Sequence, residues 1–212
     1  MTFERTIRCG PTALVAAVLV IGLVAPASAT PEGRNGRIAV AGGSYERQDI
    51  RSVLPDGSRE RRLTDTVKRN ESQVRWSPAG SRIVFAAGTG DTFGIEIFVM
   101  RADGSRVRRL TDNELLDASP DWSPRGRRIV FIRGRQSRGL YTMRSDGSRV
   151  RRIDYDGYVG YWARWSPSGR RIAFEGPDDV FSIRLDGSRR RRLTTDITKK
   201  KRGTHGDTYG GI

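Results

Sequence analysis

Trp76-Ser-Pro-Ala-Gly-Ser-Arg-Ile-Val-Phe85 returns as Trp122-Ser-Pro-Arg-Gly-Arg-Arg-Ile-Val-Phe131 and again as Trp165-Ser-Pro-Ser-Gly-Arg-Arg-Ile-Ala-Phe174. A second phrase, Asp-Gly-Ser followed by an arginine-rich stretch closing on Leu or Ile, occurs four times, over residues 56–63, 103–110, 146–153 and 186–193. Successive Asp-Gly-Ser units start 47, 43 and 40 residues apart. Self-similarity at this period predicts the blades of a β-propeller.

Each unit reads as short strands. Over 82–85, Ile83 and Phe85 fall on one side and Val84 on the other, because side chains alternate along a strand. Residues 94–100 form a second strand, rich in β-branched and aromatic residues. Asp-Gly-Ser is then a hairpin turn, with Gly taking φ > 0. Residues 106–111 make a third strand with Leu110 inward, and 120–122 a fourth that Ser123-Pro124 stops. Five positions before each turn Asp stand Arg51, Phe98, Tyr141 and Phe181; three before it stand Val53, Met100, Met143 and Ile183. Large apolar residues two apart mark a buried strand face. Arg51 breaks that face and makes the first unit atypical, as terminal repeats are.

With Trp-Ser-Pro closing each unit, the first blade takes strands 37–41, 50–55, 59–64 and 73–78, the second spans 82–124 and the third 128–167. The last has strands 171–175, 180–185 and 189–194 and lacks a closing strand. The expected fold is all-β, a propeller of about four blades: three complete four-stranded units plus an incomplete last one. The ring is either tightly closed with an imperfect seam, open and paired with a second chain as a homodimer, or a shortened form of a longer array. An open arc leaves sheet edges that invite self-association.

The recurring Trp76, Trp122 and Trp165 suit packing between blades better than ligand stacking. Trp162 lies outside their register. With Tyr155, Tyr158 and Tyr161 it makes loop 155–162 the most aromatic part of the chain. Loops carry function on such scaffolds, so these four residues are the candidate partner contact, against the alternative that they only cap a blade edge. Arginine doublets recur at equivalent positions, Arg61-Arg62, Arg108-Arg109, Arg151-Arg152 and Arg191-Arg192. Equivalent positions in a propeller form a ring, so these eight are candidates for binding polyanions, whose phosphates and carboxylates suit guanidinium forks. A GC-rich genome explains an arginine excess equally well.

Together, Trp-Ser-Pro-x-Gly-x-x-Ile-x-Phe, a strand ending in Met, Asp-Gly-Ser and Arg-x-Leu-Thr resemble the TolB-type β-propeller repeat over about residues 36–196. The resemblance implies the fold. It leaves function broader, since the family includes envelope scaffold proteins, propellers that gate serine peptidases, and polysaccharide lyases.

The ends and the composition narrow this. Arg5 and Arg8, an apolar run over 12–26 and Ala27-Ser28-Ala29 read as an export signal over 1–29. The run is short for a membrane span, which needs about 20 residues; no other segment is apolar enough to cross a bilayer. The domain then covers 30–198, and 199–212 is a basic, Gly-rich tail expected to be disordered. Net charge is +15, and the segment 1–29 contributes little of it. The one cysteine, Cys9, falls in the signal, so no disulfide is expected. The one histidine, His205, falls in the tail, and there is no Gly-x-Ser-x-Gly elbow. No catalytic residue, cofactor or metal site is expected, and adjacent loop carboxylates such as Asp178-Asp179 read as solvated. The expected protein is exported (periplasmic, envelope-associated or secreted) and non-catalytic. Its partner is an envelope protein or, alternatively, an anionic envelope polymer or lipid headgroup met by the arginine rim. Export separates it from genomic DNA.

Overall fold

A computed structural model describes residues 36–44, 47–66, 69–88, 94–135, 138–153, 159–177 and 179–194. Fifteen strands follow one another with no helix among these residues: β1 (Ile38–Ser44), β2 (Arg47–Val53), β3 (Arg61–Arg62), β4 (Glu71–Trp76), β5 (Arg82–Gly88), β6 (Ile95–Arg101), β7 (Arg108–Arg109), β8 (Asp117–Trp122), β9 (Arg128–Arg133), β10 (Gly139–Arg144), β11 (Arg151–Arg152), β12 (Ala163–Trp165), β13 (Arg171–Glu175), β14 (Val180–Arg184) and β15 (Arg191–Arg192). They form four antiparallel meanders: β1-β2-β3, β4-β5-β6-β7, β8-β9-β10-β11 and β12-β13-β14-β15.

The propeller class and the three four-stranded units plus one incomplete unit are as the sequence predicts. The incomplete unit, however, is the first and not the last. The strand that ends in tryptophan pairs with the strand that follows it: Trp76 lies opposite Ile83, Trp122 opposite Ile129 and Trp165 opposite Ile172. Trp-Ser-Pro-x-Gly is therefore a hairpin inside a blade. Ser77 N–H donates to Arg82 O at 2.9 Å, Gly80 N–H to Ser77 O at 2.8 Å and Arg82 N–H to Ser77 Oγ at 3.1 Å. The same bonds recur at Ser123 and Ser166. Proline sits in the loop of that hairpin, where it has no ladder bond to lose.

The third strand of the sequence reading is shorter than expected. It becomes the outermost strand of each sheet and is reduced to one Arg-Arg pair. Arg59, Arg106, Arg149 and Arg189, just after each Asp-Gly-Ser, have φ of 52–55°, which takes them out of extended backbone. A two-residue, doubly charged edge is a poor template for further pairing.

Strands β4, β8 and β12 are innermost, each packing against the next around a common axis. Between the sheets lie three apolar cores. The first joins sheets one and two through Ile50, Ile83, Phe85, Phe98 and Met100. The second joins sheets two and three through Val84, Ile97, Leu110, Ile129, Phe131 and Met143. The third joins sheets three and four through Val130, Leu140, Ile153, Ile172, Phe174 and Ile183. Sheets two, three and four each offer the sheet before them a cross-strand ring pair, Phe85–Phe98, Phe131–Tyr141 and Phe174–Phe181, with centroids 5.6–5.9 Å apart. Fully burying one such phenylalanine stabilises by about 2–3 kcal/mol. Among the described residues, four sheets and three cores make an open arc: no packed interface joins the first sheet to the last.

Candidate functional site

The meanders sort the connections onto two faces of the arc. Both repeated phrases turn on one face. The links into the inner strand and between the two middle strands lie on the other, where β4, β6, β8, β10 and β12 begin.

On the turn face every Asp-Gly-Ser closes alike. The N–H of Ser58, Ser105, Ser148 or Ser188 donates to Oδ1 of the aspartate two residues earlier, at 2.9 Å each time. These bonds hold Asp56, Asp103, Asp146 and Asp186 below the ordinary carboxylate range, through the serine backbone first for Asp56 and the serine side chain first for the others. A shallow groove of about 500 Å³ opens here between sheets three and four, lined by Arg151, Gly169, Arg170, Arg171, Arg184, Leu185 and Asp186.

The loop face holds buried carboxylates instead. Glu96, fully buried at the start of β6, accepts from Arg109 Nη2 at 2.9 Å, from Asn113 N–H at 2.9 Å and from Thr111 Oγ1. Asp49 accepts from Arg62 Nη2 at 2.5 Å and Thr66 N–H at 3.1 Å. Asp179 accepts from Thr194 Oγ1 at 3.2 Å and pairs with Arg192. Acid, arginine and threonine (Thr64, Thr111 and Thr194) thus recur at fixed distances from the turn aspartate in sheets one, two and four, although Thr64 Oγ1 accepts from Ile50 N–H and does not reach Asp49. Sheet three breaks the rule: the acid's place is taken by Gly139, and among the described residues Arg152 has no ion pair. Instead Arg133 forks onto the buried Asp117 with two bonds of 2.7 Å.

These contacts divide the arginine doublets. All eight are exposed, but successive residues of a strand point to opposite sides, so Arg62, Arg109 and Arg192 turn to the carboxylates while Arg61, Arg108, Arg151 and Arg191 turn away from them. Arg108 Nη1 donates to Asp146 O of the next sheet at 2.8 Å. The band of eight forks expected from the repeat is one of outward residues interleaved with structural ones. The buried acids were the residues missed. They sit 13 residues before their arginines, a spacing that aligning the repeats would have exposed.

Around the axis, the residue before each of the three recurring tryptophans is charged: Arg75, Asp121 and Arg164. Ser119 N–H donates to Gln73 Oε1 at 2.6 Å, and Trp165 N–H to Asp121 Oδ2 at 2.9 Å, lacing the inner strands together. Burial pushes the Asp121 carboxyl up, and burial with repulsion from Arg75 pushes Arg164 down. Trp122 is buried and donates Nε1–H to Arg75 O at 3.3 Å; Trp76 and Trp165 are half-buried against the first and third cores.

Of the aromatic loop, Tyr155 and Tyr158 lie outside the described residues, as do the segments 1–29 and 199–212. Tyr161 and Trp162 stand on the loop face at the entry to β12, exposed by 58% and 53%. Arg138 lies over the Tyr161 ring at 3.9 Å and Arg164 over the Trp162 ring at 5.4 Å. Trp162 occupies the repeat position of Gln73 and Ser119, which lie in the irregular stretches of β4 and β8. Among the described residues, no three His, Cys, Asp or Glu side chains come together as metal ligands would.

The chain is 42% identical over 55 residues to the Tol-Pal system protein TolB of Anaeromyxobacter dehalogenans (strain 2CP-C), a match that covers 26% of this chain and 12% of that protein. It superposes on the crystal structure of TolB from Acinetobacter baumannii with a TM-score of 0.67 and 19% identity, over 77% of this chain and 42% of that one. On oligogalacturonate lyase in complex with manganese the TM-score is 0.61 with 14% identity, over 78% of this chain and 50% of that one. The chain thus spans half or less of the length of each of these proteins, and the two superpositions establish fold alone. The family model of the TolB beta propeller domain matches residues 27–204, and the chain belongs to that family.

Proposed function

We propose that the protein is an exported, non-catalytic propeller that serves as a protein-interaction scaffold in the bacterial envelope. Membership of the TolB beta propeller family supports an interaction role, and the charged start with its apolar run over 12–26 supports export. One observation carries the site: Tyr161 and Trp162, large, exposed and backed by two guanidinium groups, stand together on the loop face. Tyr, Trp and Arg are the residues in which interface hot spots are enriched, because large rigid rings add contact area at little entropic cost. The partner would be an envelope protein presenting an apolar or acidic patch.

The test is capture from envelope extract with the native protein and with Tyr161→Ala/Trp162→Ala. A protein retained at high salt by the native chain and lost with the double variant is the expected result, at an unchanged melting temperature. Equal capture by both chains would remove this face from the interface.

The turn-face groove supports a second reading, in which its arginines meet an anionic polymer or headgroup. Heparin affinity measured across a salt series separates the two. A steep loss with salt, reduced by Arg151→Ala/Arg170→Ala/Arg184→Ala, marks counterion release and the polyanion reading.

A further inference from the structure

We infer that the two ends of the arc bind each other in different copies of the chain, head to tail, through the interface that the chain already uses three times internally. Within the chain, the Ile and Phe of one strand, as Ile83-x-Phe85 or Ile129-x-Phe131, press against the sheet before them. Ile38 and Val40 hold those positions in the first sheet, by their register opposite Val53 and Arg51. With no sheet before them among the described residues, they are 48% and 42% exposed.

The far end is the complement. Leu63, Leu110 and Ile153 close the three cores from the outer edge, and Ile50, Ile97 and Leu140 fill their middle. In the last sheet Leu193 and Val180 take these two places, and they are 56% and 39% exposed. Arg51 stands where the other sheets carry Phe98, Tyr141 and Phe181, and Glu175 stands where they carry Ala41, Ala86 and Ile132. Both are already held within their own sheet, Arg51 by Glu60 at 2.7 Å and Glu175 by the Tyr161 N–H at 2.8 Å, so the match between the ends is the apolar one. A second copy is the occupant that presents both patterns. The contact is heterologous, so each copy keeps a free end, and the assembly grows until its rotation closes a ring.

The experiment is mass measurement by light scattering across a concentration series, on the protein as the host produces it. High salt is used so that adventitious polyanions do not bridge the basic chains. The native protein is expected at twice the monomer mass or more. Val40→Glu spoils only the leading end and Leu193→Glu only the trailing end, so each variant alone is expected at monomer mass. Both positions are exposed, and circular dichroism of each variant is the check that it folds. Mixing the two variants leaves one good end on each, and a one-to-one dimer is expected. The inference fails if the native protein stays monomeric at its highest soluble concentration. It fails equally if both variants keep the native mass, or if their mixture remains monomeric. Neither position belongs to the Tyr161–Trp162 face, so the outcome is independent of partner capture.

Discussion

The two faces of the arc solve the same problem, how to end a strand, in opposite ways. On the turn face each aspartate is exposed and satisfied by a serine two residues away. On the loop face Asp49, Glu96 and Asp179 are buried and each meets an arginine 13 residues on, and Glu96 and Asp179 also meet a threonine hydroxyl 15 residues on. Local closure repeats without exception, because it needs only its own four residues. Long-range closure needs partners from three strands, and sheet three shows that the fold survives without the set. The face that tolerates variation is the one that carries Tyr161 and Trp162.

The sharpest way to break the contrast is Glu96→Ala. It leaves Arg109, Thr111 and Asn113 without their shared acceptor in a fully buried place, and is expected to cost about 3–5 kcal/mol, read from urea unfolding. A loss below about 1 kcal/mol would mean that the network is no more than a solvated ion pair.

Next comes a pair of turn-face variants. Gly104 has φ +87°, and an added Cβ would stand 2.4 Å from Leu63 O of the preceding sheet; Gly57 has φ +82° and open space around it. Gly57→Ala is expected to cost about 1–2 kcal/mol for the left-handed backbone alone. Gly104→Ala adds the collision, for about 2–4 kcal/mol in all. Equal losses in chemical unfolding would show that the sheets part easily at their turns.

The smallest effect is in pH. The turn aspartates have lowered folded pKa values, so their contribution is complete above about pH 4, the unfolded value, and is lost as pH falls through the folded ones. Burial raises Glu71 and Asp121, so the folded chain binds their protons first. Those two groups add stability as pH falls from neutrality toward about 4. A melting temperature that is level or slightly higher at mild acidity and then drops below about pH 4 is expected, and Glu71→Gln should flatten the first limb.

Much of this was legible in the chain. The repeat period showed the class, and Asp-Gly-Ser showed the hairpins, because both depend on local chemistry. Blade boundaries were misread because a proline that ends a strand and a proline that sits in a hairpin look alike in sequence. Only the pairing of Trp76 with Ile83 separates them. The buried Glu96 and Asp117 were not picked out in the sequence, for a related reason. Their burial comes from strands that meet in space, and no window around either residue contains the arginine that holds it. Arg51 was visible as an exception to the repeat, and the structure gives it a place at the leading end.

Because the sheets lean only on their neighbours, support is unevenly shared along the arc. The middle two are clasped from both sides; the outer two are held from one. Loss of order should therefore begin at the extremities and travel inward, sheet by sheet, rather than strike the whole chain at once.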